Sequence, residues 1–217
     1  MAVHVLICDD HLIVRQGIKQ VLADAPDIEV TAEAASGPEA LARVRQGGID
    51  VVLLDIAMPQ RDGLDILRQL KSEAPKLPVL MLSTYPDRQY AVRSLKLGAA
   101  GYLNKSADAE QMIDAVRKVA RGGLFITGSV GELLAGALST ASGPGAGAEE
   151  PPLAEQLSHR EYQVFRLLAE GRSVGEIAEQ LVLAPNTVST YRARILGKTG
   201  TRNDVELALL AVRQALL

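Results

Sequence analysis

A chain of 217 residues, 47% of them hydrophobic, has ample material for one large domain or two ordinary ones. With 3% aromatics and no Trp its core must be aliphatic, and a single cysteine, Cys8, excludes an internal disulfide and suits a reducing compartment. No apolar stretch reaches membrane-spanning length and no basic-then-apolar segment opens the chain, so a cytoplasmic protein is expected; the net charge of −3 is too unevenly spread to decide anything as a total.

Up to about Ala120, short apolar runs alternate with longer amphipathic stretches. The runs "VHVLIC", "IEVTAEA", "VVLLD", "PVLMLS" and "AAGYLN" read as strands. Between and after them "LIVRQGIKQVLAD", "GPEALARVRQG", "GLDILRQLKSEA", "RQYAVRSLKLG" and "DAEQMIDAVRKVARG" carry helical periodicity. Strands of near-continuous Val, Ile and Leu alternating with helices predict a parallel sheet covered on both faces, an α/β doubly wound fold of five β-α units. Residues 136–154, "GALSTASGPGAGAEEPPLA", have no periodicity and a composition that forms no packed core. The expected division is a first domain over 1–125, a flexible linker over 126–152 and a second domain over 153–217.

The second domain reads as all-α. Ser158 with Glu161 and Ser173 with Glu176 have capping-box spacing, Asn203 with Glu206 offers a similar pair, and Pro185 suits a first helical turn. Four helices are predicted, near 159–170, 174–181, 185–198 and 204–216. Only "VLA" separates the second from the third, a helix-turn-helix spacing.

In an open parallel sheet, ligands bind outside the carboxyl ends of the strands. The first strand ends in Asp9 and Asp10, the third in Asp55, the fourth in Ser83 and the fifth in Lys105. A lone strand-end Asp is most often a turn or cap residue, and Asp10 alone reads as a cap of the next helix; all five groups at strand ends are not explained that way. Clustered carboxylates need a cation to stay ionised together. An oxygen-only set favours Mg²⁺, with Asp10 and Asp55 as direct ligands, Asp9 direct or through water, and the carbonyl of Ala57 completing the protein's share. Asp55 is then placed to attack a phosphoryl group and form an acyl phosphate, with Lys105 and Ser83 facing the phosphoryl oxygens.

The segments "LICDDH", "LLDIAMPQRDG", "MLST" and "GAAGYLNKS" resemble the signatures of a two-component response regulator receiver domain, over nearly all of residues 1–121. The resemblance implies a flavodoxin-like (βα)5 fold with Asp9 and Asp10 as the acidic pair, Asp55 as the phosphorylated residue and Lys105 as the basic partner. It further implies Ser83 and Tyr102 as the switch hydroxyl and aromatic, a sensor histidine kinase as phosphoryl donor, and at most self-catalysed phosphorylation and dephosphorylation as activity. Pro59 and Gly63 are expected to shape the loop beside Asp55, Gly63 by its conformational freedom. Two positions depart from the family pattern: Thr84 is larger than usual after the switch hydroxyl, and Ser106 follows Lys105 where Pro, with a cis bond, is common. A cis bond before a non-proline residue costs about 2.5–4 kcal/mol, so a trans bond is expected.

From Leu153 to Leu217 there are eight Lys or Arg against seven Asp or Glu, yet Pro185 to Arg202 holds Arg192, Arg194, Lys198 and Arg202 with no acid. That local positive charge suits phosphate backbones, although charge runs are more often solvated faces. The segment from Leu157 to Val212 also resembles the LuxR-type helix-turn-helix of the NarL/FixJ family, which implies double-stranded DNA as partner and the helix from Pro185 as the recognition helix. Ser189, Thr190 and Ala193 fall at base-facing positions; Thr187, Arg192, Arg194 and Lys198 are candidate phosphate anchors. Val188, Tyr191 and Ile195 are expected to pack inward, and Ala184 stands where a capping Ser is usual. The apolar stripe of "DVELALLAVRQALL" either pairs two such domains or closes its own core.

The combined reading is a DNA-binding response regulator that is phosphorylated on Asp55, forms a homodimer, has RNA polymerase as a further partner and acts without a membrane. A phosphotransferase or phosphatase on a similar sheet would carry a second Asp two residues after the nucleophile, where this chain has Ala57. An unphosphorylated dimerisation module would not require Asp9, Asp10, Asp55 and Lys105 together.

Overall fold

The computed structural model describes residues 2–58, 63–84, 88–126, 131 and 156–213. Pro59, nearly all of the expected linker and the end of the last helix lie outside the described residues. The chain divides into two compact units, Met1–Ala146 and Gly147–Leu217.

The first unit is built from strands β1 (Val3–Cys8), β2 (Ile28–Ala34), β3 (Val51–Asp55), β4 (Val79–Ser83) and β5 (Gly101–Asn104). They alternate with helices α1 (Leu12–Ala23), α2 (Gly37–Gln46), α3 (Gly63–Glu73), α4 (Arg88–Lys96) and α5 (Ala109–Ala120). All strand pairs are parallel, in the order β2-β1-β3-β4-β5. The central strands are apolar and buried because helices cover both faces. On one side Val5, Ile7, Val51, Leu53, Leu80 and Leu82 pack with Ile18 and Leu22 of α1 and Met112, Val116 and Val119 of α5. On the other, α2 lies on β1 and β2, and α3 lies on β3.

β1, β2 and β3 match the sequence expectation residue for residue, whereas β5 begins two residues late. Gly98, at φ 92°, turns the chain out of α4, and the ladder with β4 starts only at Gly101. β2 is an edge strand with a bulge: Val5 pairs with Val30 but Leu6 with Ala32, leaving Thr31 as the extra residue. The strand order reverses at β1 and β3, the switch point at which ligands of such sheets bind.

The second unit comprises α6 (His159–Ala169), α7 (Val174–Gln180), α8 (Pro185–Thr199) and α9 (Asp204–Arg213) among the described residues. Both capping boxes form: Ser158 and Ser173 each accept from the backbone amide of Glu161 and Glu176, and each glutamate accepts in return. Asn203 caps α9 by accepting from Glu206 N, and Glu206 reaches the amide of Arg202 instead of that of Asn203. Ala184 provides no side-chain cap, so Pro185 opens α8 alone. Val188 and Ile195 are buried with Phe165, Leu168, Ile177 and Leu207, while Tyr191 is half-buried. Among the described residues no helix is long and apolar enough to cross a membrane.

Candidate functional site

The carboxyl ends of β1 and β3 bring the acidic residues to one place. Asp9 and Asp55 are fully buried, and the Lys105 ammonium bridges them, 2.6 Å from Asp9 Oδ2 and 2.9 Å from Asp55 Oδ1. Lys105 is placed by the sheet: its amide donates to Ser83 O at 2.7 Å, one step past the β4–β5 ladder. Asp10 is one-fifth exposed at the rim. The N-cap of α1 is His11, with no side-chain cap, so the carboxylate of Asp10 is not employed as a helix cap.

One ammonium does not balance this charge. Burial raises the Asp55 carboxyl above its ordinary value, and neighbouring Asp9 raises it further; Lys105 and the Ala57 amide act in the opposite direction. Burial works against the charge on Lys105, but attraction to Asp55 and Asp9 raises its pKa overall. Buried oxygens of Asp9, Asp10 and Asp55 lack geometrically complete hydrogen bonds. Such a set fits a hard divalent cation, and one oxygen each of Asp9, Asp10 and Asp55 lies with a His11 nitrogen within 4.8 Å of one another. Ala57 stands in the loop after β3, contributing its amide to Asp55.

Ser83, at the end of β4, is buried, as is Tyr102 on β5. Thr84, the residue after Ser83, is exposed. No cis peptide bond occurs among the described residues, and Ser106 donates through its amide and hydroxyl to Asn104 Oδ1. Gly63 corrects the sequence expectation. Its φ is not in the left-handed region; instead, a Cβ there would strike the main-chain oxygen of Asp55 and lie 2.7 Å from Ile56 Cα. The glycine is required for space, because α3 starts against the strand end.

Sequence reading missed three neighbours. His11 Nδ1 lies 3.0 Å from Asp10 and 3.3 Å from Asp9. Arg15 donates to the main-chain oxygen of Asp9 at 2.7 Å. Cys8 is buried beneath, its sulfur 3.5 Å from that of Met58, and burial pushes the thiol up to about 12, so it is inert. Adjacency in "LICDDH" was the only signal for His11 and Cys8.

The second unit carries a distinct surface. On α8, Ser189, Thr190, Ala193 and Arg194 are exposed and Thr187 is half-buried. Thr190 Oγ1 donates back to Asn186 O at 2.9 Å. The basic residues divide. Arg192 is held by Asp204 at 2.8 Å and Lys198 by Glu161 at 2.6 Å, whereas Arg194 makes no ion pair among the described residues. The acids come from α6 and α9, which the acid-free stretch of sequence does not reveal. α9 exposes Val205, Leu209 and Val212 along one stripe.

Comparison with known proteins places both units. Residues 5–117 match the family described as response regulator receiver domain, and residues 155–211 match the bacterial regulatory proteins of the luxR family. The chain is 36% identical to the response regulator UvrY of Escherichia coli over 214 residues, covering 99% of this chain and 95% of that one. It is 41% identical to the transcriptional regulatory protein UhpA of Salmonella typhimurium over 205 residues, 94% of this chain and 95% of the relative. Among solved structures it resembles RcsB from Salmonella enterica serovar Typhimurium bound to promoter rprA in the presence of a phosphomimetic, with TM-score 0.57 and 25% identity over 96% of this chain and 97% of that one.

Proposed function

Because this chain belongs to the two-component response regulators that join a receiver domain to a LuxR-type DNA-binding domain, we propose that Asp55 accepts a phosphoryl group from a sensor histidine kinase and thereby controls DNA binding by the second domain. The observation that carries this reading is the Lys105 ammonium set between buried Asp9 and Asp55. An ammonium so placed pairs with Asp55 before transfer and with a phosphoryl oxygen afterwards.

An Asp55 carboxylate oxygen attacks phosphorus, the bond from phosphorus to the donor nitrogen breaks, and the imidazole leaves and is protonated. Asp9, Asp10 and Asp55 would hold Mg²⁺ through their carboxylates, with the Ala57 carbonyl beside them. Bound there, the ion neutralises charge on the transferring phosphoryl group. Ser83 donates to a phosphoryl oxygen, and Tyr102 follows it inward. The added charge thus biases the packing of α4, β5 and α5. Autophosphorylation and autodephosphorylation at Asp55 complete the chemistry.

For output, α8 enters the major groove of double-stranded DNA. Ser189, Thr190 and Ala193 face base edges, and their small size leaves room for shape readout. Arg194 anchors a phosphate with Thr187, while Arg192 and Lys198 hold α8 in place and add positive potential. The stripe of Val205, Leu209 and Val212 on α9 supports a homodimer on two half-sites. The protein then acts in the cytoplasm, with RNA polymerase as its downstream partner. Domain limits of 1–125, 126–152 and 153–217 accompany this reading.

The test is treatment of the full chain with acetyl phosphate and Mg²⁺, followed by intact-mass measurement and selection of retained DNA fragments. Wild-type protein is expected to gain one phosphoryl group and bind DNA more tightly, and Asp55→Asn to do neither. Equal phosphorylation of Asp55→Asn would overturn the assignment.

A further inference from the structure

We propose that Arg15 and Glu33 form a strut that fixes the main chain of Asp9 and so sets how tightly the acidic pocket binds its divalent cation. The inference rests on the proposed function of that pocket and adds two positioning residues outside it.

The Asp9 carboxylate is buried, one oxygen accepting from the amide of His11 at 2.8 Å and the other facing Lys105. Two further carboxylates stand close by, so their repulsion works to turn Asp9 away from the cluster. Something must hold the main chain against that force. Its N–H donates to Ala34 O of β2 at 3.1 Å, one residue past the end of β1. Its C=O accepts from Arg15 Nη1 at 2.7 Å, and Arg15 Nε reaches Glu33 Oε2 at 3.4 Å. Both polar groups of the Asp9 main chain are therefore tied to β2, one directly and one through Arg15.

Glu33 is itself secured. Lys19 donates to its Oε1 at 2.9 Å and Gln16 to its Oε2 at 3.3 Å, so three side chains of α1 converge on it. The bulge at Thr31 makes this possible. Without it, register from the Val5–Val30 pair would set Ala32 beside Ile7, on the face covered by α1. The extra residue brings Glu33 there instead. The bulge thus turns a carboxylate onto an otherwise apolar face, where it meets Arg15. Arg15 is 12% exposed, so its contacts are only weakly screened by solvent.

Groups that orient a metal ligand typically change metal affinity 10–100-fold when removed. Arg15→Met, which keeps the apolar stem and removes the donors, is expected to raise the Mg²⁺ Kd of the full chain about tenfold by calorimetry. Glu33→Gln, which keeps size and loses charge, is expected to shift it severalfold in the same direction. Arg45→Met, which breaks the more exposed 2.7 Å ion pair of Arg45 with Glu73 remote from the pocket, is expected to leave it unchanged. Melting by circular dichroism is recorded alongside. A lower melting temperature with wild-type Mg²⁺ affinity in Arg15→Met would make the strut merely structural and overturn the proposal. Should Arg15→Met fail to fold, wild-type affinity in Glu33→Gln would do the same. Wild-type protein that binds no Mg²⁺ would overturn both this inference and the function on which it rests.

Discussion

Lys198 and Glu161 form a 2.6 Å ion pair joining the last turn of α8 to the first turn of α6. The Glu161 side chain is 4% exposed and also closes the Ser158 capping box. Lys198→Ala would leave a buried carboxylate with only its cap, at a cost of about 1–3 kcal/mol to the second domain, read by denaturant unfolding. The salt dependence of DNA binding separates this from a phosphate contact. Arg194→Ala is expected to reduce the slope of log affinity against log salt by about one, and Lys198→Ala to change it little. Equal reductions would return Lys198 to the phosphate backbone.

The same pair predicts an acid limb. Burial raises the Glu161 carboxyl, but bonds from Lys198 and from the amide and hydroxyl of Ser158 outweigh it, so its pKa lies below the ordinary carboxylate value. A depressed folded-state pKa gives stability that is present above the unfolded value of about 4.3 and is lost as pH falls through the folded value. Thermal melts of the second domain are expected to lose stability below about pH 4.3, and Glu161→Gln to flatten that limb.

At the receiver pocket, function and stability oppose each other. Asp9 and Asp55 are both fully buried with one ammonium between them, and Asp10 adds charge at the rim. Replacing Asp55 by Asn removes a buried charge at almost constant volume. Lys105 stays paired with Asp9, so no buried charge is left uncompensated, and metal-free Asp55→Asn is expected to be more stable than wild type in denaturant unfolding. Mg²⁺ is expected to stabilise wild type and to raise the melting temperature of Asp55→Asn far less. A metal-free variant less stable than wild type would show that the Lys105 pair outweighs the repulsion.

The strand ends were legible because a strand buried on both faces is written as an uninterrupted apolar run, and Asp55 and Ser83 are the first polar residues after such runs. The start of β5 was not, since Ala99 and Ala100 are apolar without belonging to the ladder. Partners distant in sequence were hidden as well. Glu33 meets Arg15 only through a register shift at Thr31, which no linear pattern encodes. The basic run of α8 looked uniformly available because its acids, Glu161 and Asp204, lie on other helices. Gly63 was recognised as necessary, but its reason, close approach to the main chain of β3, belongs to tertiary packing.

That approach makes Gly63 a sharp test of the loop beside Asp55. An added Cβ meets main chain at Asp55 and Ile56, neither of which can give way as a flexible side chain would. Gly63→Ala is expected to cost about 1–3 kcal/mol through overpacking and to displace the end of β3. Phosphorylation of Asp55 by acetyl phosphate should slow accordingly, even where circular dichroism shows the domain folded. Wild-type phosphorylation in a folded Gly63→Ala protein would mean that α3 shifts freely from the site.

Val182, in the turn between α7 and α8, has φ 53°, a left-handed conformation that β-branched residues resist. Its side chain is 90% exposed, so little packing offsets that strain. Left-handed backbone costs an L-residue roughly 1–2 kcal/mol, whereas Asn tolerates it and loses less unfolded-state entropy than Gly would. Val182→Asn is expected to stabilise the second domain by about 1 kcal/mol, a rise of roughly 4–8 °C in melting temperature for a domain of this size. DNA affinity should hold, since the orientation of α8 is retained by Lys198 and Arg192 rather than by the turn. If instead affinity falls while stability rises, the strained turn itself sets the pose of α8.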